Sequence, residues 1–172
     1  MKPKIIHTNP ITLIGMSFYG DPFDVHSGWD EDNQIGLLWK RFMAFISNAK
    51  ETEYLSRNHK AFYEVHIYSP ETRERGLFEV FVGVEFDPQY LKNVPAELCL
   101  KNLPATQYAV FTFNGDQISS DWEKTLQDWL ATSEYLSDGS YGIQYLDERF
   151  KGVHNLRESA LDVYIPVKKK QD

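Results

Sequence analysis

Two stretches of this sequence carry the same helical spacing and hold the same place in a run of strand-like segments, which restricts the chain to a repeated mixed α and β plan. From about Asn33 to Ala49, Leu38, Phe42, Phe45 and Ile46 fall at i, i+4, i+7 and i+8. Trp122, Leu126, Trp129 and Leu130 repeat that spacing, and each set forms one apolar stripe on a helix of 3.6 residues per turn. Ser120 with Glu123 three residues on predicts a capping box at the second start.

Strand signals flank both helices in the same order. Pro10-Ile11-Thr12 leads to Phe18-Tyr19-Gly20-Asp21, and Pro104-Ala105-Thr106 leads to Phe113-Asn114-Gly115-Asp116. Phe62 to Tyr68 and Phe78 to Phe86 follow the first helix, and Tyr141 to Asp147 and Leu161 to Lys168 follow the second. The expected fold is α+β, with two pseudo-symmetric β-α-β-β halves, antiparallel sheets, one long helix per half and a concave cleft. The whole of 1–172 reads as one domain, with half one at about 5–87, a connector at about 88–97 marked by Asp87-Pro88 and Val94-Pro95, and half two at about 98–170.

Alternation sends Val80, Val82 and Val84, with Val163, Ile165 and Val167, toward the helices. The helix-free face then carries Glu79, Phe81, Gly83 and Glu85, with Asp162, Tyr164 and Pro166, and is the expected site of the cleft. Phe18, Phe62, Phe81, Phe111, Phe113, Tyr145 and Tyr164 could line a pocket there or pack in the core. Glu64 sits mid-strand in phase with Phe62 and His66. In a cleft it would pair with a cation, and at a sheet edge it would be solvated.

Several chemistries have no anchor. The five histidines make no zinc-ligand spacing, and no phosphate-binding glycine loop or nucleophile elbow is present. No metal, cofactor or catalytic residue is expected. Cys99 is the only cysteine, which rules out an intramolecular disulfide. With 25 acidic and 18 basic residues the net charge is -7, which opposes nucleic-acid binding. Lys168-Lys169-Lys170 reads as a solubilising tail. No signal-peptide run or membrane span is seen, so the expected location is cytoplasmic and no membrane partner is expected.

Leu103-Pro104-Ala105 with Tyr108-Ala109-Val110-Phe111, then Trp122, Trp129-Leu130, Asp147-Glu148-Arg149-Phe150 and Val163-Tyr164-Ile165-Pro166-Val167-Lys168, resemble the GyrI-like family, the effector-binding domain of AraC-type and MerR-type multidrug-sensing regulators. Gly83-Val84-Glu85 fits the same pattern, and small stand-alone members carried on integron cassettes are similar in plan. The resemblance implies a groove that takes flat, hydrophobic, often cationic compounds by aromatic stacking and a buried glutamate. It also implies one departure, because the family's acidic strand position holds Gln144 and the nearby tyrosine position holds Leu146. Glu64, Glu79, Glu85 or Asp162 would then supply the charge, or the ligand would be neutral or weakly basic.

The expected ligand residues are Phe18, Glu64, Phe81, Glu85, Phe111, Gln144, Tyr145 and Tyr164. Tyr145 reaches a cleft shared with Gln144 only if a bulge or twist intervenes. The expected partner is a small hydrophobic or cationic organic molecule. Hydrolysis of cyclopropane-type toxins and a protein-binding role of the gyrase-inhibitor type are the alternatives, and an exposed edge strand or helix face could support a homodimer.

Overall fold

Short links between distant strands shape this molecule. The computed structural model describes residues 1–48, 60–87, 89, 94–137 and 139–171. Its strands are β1 (Lys4–Thr8), β2 (Ile11–Gly20), β3 (Ala61–Ile67), β4 (Phe78–Glu85), β5 (Cys99–Leu103), β6 (Thr106–Asn114), β7 (Tyr135–Leu136), β8 (Tyr141–Asp147) and β9 (Ala160–Lys169). The helices are α1 (Gln34–Asn48), α2 (Pro70–Arg75) and α3 (Trp122–Thr132).

All pairings are antiparallel, and the strand order is β1-β6-β9-β8-β3-β4-β2-β5, with β7 added to the end of β9. β1 and β2 lie near opposite ends of that order, yet only Asn9 and Pro10 join them. β5 and β6 are likewise joined by Pro104 and Ala105 alone. Two linking residues span at most about 10 Å, so the sheet must curl until its two edges come together. The curl fills its inner face with Leu13, Phe81, Leu103, Tyr108 and Ile143, which form one buried cluster.

The outer face carries the helices. Leu38, Phe42 and Ile46 of α1 pack on Ile14, Met16, Val80, Val82 and Val84. Trp122, Leu126 and Trp129 of α3 pack on Phe111, Phe113, Leu161 and Val163. Trp39 and Phe62 touch both clusters and bridge them. Apart from Leu130, the predicted helix stripes and the valines expected to face the helices are therefore where the spacing put them.

Two local readings are corrected. The first turn of α3 is capped by Asp121, whose carboxylate accepts from the Lys124 N–H at 2.9 Å, and not by Ser120. Ser120 instead donates from Oγ to the Gln117 carbonyl at 2.6 Å, closing the preceding 3-10 turn. At α1, Asn33 is buried and does the capping, accepting from Gly36 N at 2.9 Å while its amide donates to the Gly28 carbonyl at 2.8 Å. Ala49 and half of the expected connector, 88 and 90–93, lie outside the described residues. Among the described residues no helix is long and apolar enough to cross a membrane.

Candidate functional site

Between α1 and α3, over the middle strands β3 and β8, the outer face opens into a cleft of about 1640 Å³. Register explains its position. Glu64 stands opposite Val82 on one side and Gln144 on the other, and opposed residues of antiparallel strands share a face. Val82 lies under α1, so Glu64 and Gln144 project on the helix side. The expectation of a cleft on the helix-free face is overturned, because that face is the closed interior of the curl.

Glu64 is only 4% exposed and is held by three donors. Trp39 Nε1 donates to Oε2 at 2.6 Å, and Gln144 Nε2 donates to Oε1 at 3.0 Å. His66 Nε2 lies 2.7 Å from Oε1. A carboxylate only accepts, so His66 carries a proton on Nε2 in this contact. The same logic orients Gln144, since its carbonyl facing the carboxylate would repel it. Gln144 Oε1 is thereby left buried with no hydrogen-bond partner among the described residues.

Aromatic rings wall the cleft. Trp39 meets Phe62 edge to face at 5.9 Å, and His66 lies 5.3 Å from Phe78, which in turn lies 5.5 Å from Tyr68. On the far side Trp29 packs on Trp122 at 5.9 Å and on Phe150 at 5.7 Å. Trp29 Nε1 also donates to the Ile118 carbonyl at 3.1 Å, which fastens the 21–33 loop across the cleft. Five carboxylates, Asp30, Glu31, Glu64, Asp147 and Glu148, line this space against Lys40 and Lys60. Lys40 is engaged by Glu31 and Asp32, so the field in the cleft is negative. Tyr68 keeps 40% of its surface, but the protein packed around it, followed by the charges of Glu123 and Glu64, raises its phenol.

The expected site residues do not all come together. Glu64 and Gln144 meet at the floor of the cleft. Tyr145 borders it, but its ring turns to the inner face, 5.3 Å from Tyr63 and 5.8 Å from Tyr164, as alternation requires. Phe111 lines a smaller chamber of about 400 Å³ beside the cleft. Phe81 and Tyr164 are correctly read as strand residues but belong to the cluster inside the curl. Phe18 packs against the core under α1, and Glu85 is exposed at the end of β4; neither lines the cleft.

Of the four carboxylates left open for a charge role, Glu79 is paired with Lys101 at 2.8 Å and Asp162 with Arg149 at 2.7 Å. Only Glu64 of the four lines the cleft. Residues missed in the sequence include Trp29, Trp39 and His66. Ile35, Trp39 and Met43 recur every four residues beside the core stripe of α1 and all three line the cleft, a second stripe that could have been found. Trp29 carries no such periodic signal. Among the described residues no group of three His, Cys, Asp or Glu side chains is placed to hold a metal ion.

Comparison with known proteins places this geometry. No curated protein sequence matches the chain. Among solved structures, SAV2435 bound to tetraphenylphosphonium is similar at TM-score 0.67 and 14% identity, covering 98% of this chain and 94% of that one. An integron cassette protein from the mobile metagenome of Vibrio cholerae is similar at TM-score 0.60 and 18% identity, covering 98% and 97%. A hydrolase from Listeria innocua is similar at TM-score 0.57 and 10% identity, covering 97% and 92%. At these identities the likeness is one of fold. The family model described as integron-associated effector binding protein matches residues 4–167. With nearly its whole length matched, the chain belongs to the family of integron-associated effector binding proteins, within the GyrI-like effector-binding group.

Proposed function

We propose that this protein binds flat, hydrophobic, cationic small molecules in the cleft between α1 and α3, with Glu64 answering the ligand's charge. The observation that carries the reading is a carboxylate only 4% exposed at the floor of an aromatic cleft, with His66 as its only basic partner among the described residues. Burying such a group is costly unless its charge is answered, and ring faces add attraction for cations. Among the described residues three donors hold Glu64 in place, two on Oε1 and one on Oε2. The neighbour SAV2435 holds a phosphonium cation, a precedent for this ligand class on a similar fold.

The same reading takes the chain as one domain of two related halves. Outward from the central β3–β8 pair the order runs β4, β2, β5 on one side and β9, β6, β1 on the other, which supports the repeat. Each side contributes one long helix. A net charge of -7 supports a small cationic ligand over nucleic acid.

The test is quenching of tryptophan fluorescence by flat dyes matched in shape but cationic, neutral or anionic. Trp29, Trp39 and Trp122 line the cleft and report directly. Saturable binding of the cations, weakened about tenfold or more in Glu64→Gln while the neutral dye is unaffected, is the expected result. Saturation by none of the dyes would reject the reading and favour a protein partner.

A further inference from the structure

Beside the cleft lies the smaller chamber, beneath α3, walled by Phe111, Phe113, Leu126, Val163 and Ile165. These apolar walls are joined at the rim by Glu123, Thr72, Gln127 and Ser137, against five carboxylates in the main cleft. His66, Tyr68, Trp122 and Gln144 line both spaces and form the partition between them. Two of these four, His66 and Gln144, are the side chains that hold Glu64 Oε1. A group bound at Glu64 is therefore one side chain away from the second chamber.

Gly142 of β8 lines the chamber without a side chain. This residue stands opposite His66 in the register and two residues from Gln144, so a side chain there would share their face. A Cβ built on it meets only the Ile165 Cδ1 at 3.4 Å. Gly142 has an ordinary negative φ, so no turn or strained conformation demands glycine. A glycine in the middle of a strand loses packing and entropy. Here the missing side chain leaves space that a ligand can use.

Gln144 gives a second, independent sign. Its Oε1 is buried in the partition and has no donor among the described residues, a state that folded proteins seldom tolerate. The polarised hydrogens beside a cationic centre are the complement that this oxygen lacks.

Resting on the proposed cation site, we infer that Gly142 opens a second subsite which takes an apolar arm of the ligand, threaded past His66 and Gln144 while the positive charge stays at Glu64. The ligand class is a cation bearing a flexible or flat hydrocarbon substituent, not a compact cation alone. Ligand length, and not only charge, then sets affinity.

Calorimetric titration with N-methyl-, N-butyl- and N-octylquinolinium tests this in the wild-type protein, Gly142→Ala and Gly142→Val. In the wild type, affinity rises about tenfold or more from methyl to octyl. Gly142→Val removes most of that rise and leaves the methyl compound within about twofold, with Gly142→Ala between the two. An undiminished rise in Gly142→Val would place the arm elsewhere and overturn the inference, as would a wild type indifferent to length; both outcomes leave the cation site standing. Failure of every member, methyl included, to bind the wild type would overturn the cation site and the inference with it. Thermal melts of both variants confirm that they are folded, and Gly142→Ala carries the comparison if the valine variant is not.

Discussion

Glu64 and Gln144 stand directly opposite each other on neighbouring antiparallel strands, with the amide nitrogen of one 3.0 Å from a carboxylate oxygen of the other. The position where the resemblance leads one to expect an acid holds an amide, and the acid is found one strand away on the same face. The charge of the cleft has a different address on the sheet but nearly the same place in space.

Trp39 both walls the cleft and donates to Glu64 Oε2 at 2.6 Å. Trp39→Phe keeps a ring against Phe42 and Phe62 but removes the donor. Stability should fall by about 1.5–3 kcal/mol, the range for a hydrogen bond to a charged group. Chemical denaturation measures it, and an unchanged midpoint would mean that the bond contributes nothing.

Phe81 is fully buried because two glycines make room for it. Gly15 and Gly83 face each other across β2 and β4. A Cβ on Gly83 would lie 2.3 Å from the Ile14 carbonyl oxygen and 2.8 Å from the Phe81 ring. Gly83→Ala should cost about 3 kcal/mol or more, since backbone must move to admit it. Gly142→Ala, whose Cβ would meet the movable end of the Ile165 side chain at 3.4 Å and no backbone among the described residues, should cost far less in the same denaturation series.

Alkaline pH should expose the tyrosines of the curl. Burial pushes the phenol of Tyr164 up to about 12, with Asp162 and Tyr145 adding to the shift. Burial also raises Tyr63, aided by Glu85, and Tyr108, aided by its bond to Tyr141. Below pH 10 these phenols hold their protons whether the chain is folded or not, and their contribution is complete. Above pH 10 the unfolded chain releases protons that the folded protein keeps, so stability falls as pH rises toward the folded values. Urea midpoints should drop between pH 9 and 11, and phenolate absorbance should show a group that ionises only above 10. A single transition near 10 for every tyrosine would contradict this.

Much of this plan was legible in the chain because helices and strands declare themselves by period. The stripes of α1 and α3, the valines of β4 and the phase shared by Phe62, Glu64 and His66 needed no structure. The face on which Glu64 projects did need one. Only the register that sets it against Val82 puts it on the helix side, and register is a long-range property of paired strands. Phe81 could not be distinguished from a ligand ring until Gly15 was found across from Gly83, on a strand more than 60 residues earlier in the chain. Trp29 lies in an aperiodic loop, and only tertiary contact with Ile118, Trp122 and Phe150 brings it to the cleft.

The most direct test moves the charge back across the strand pair. Cation binding is compared in the wild type, in Glu64→Gln, and in the double variant Glu64→Gln with Gln144→Glu. The account predicts a loss of about tenfold or more in the single variant and substantial recovery in the double, because the two side chains share one face and one hydrogen bond. Wild-type affinity for cations in Glu64→Gln would contradict it.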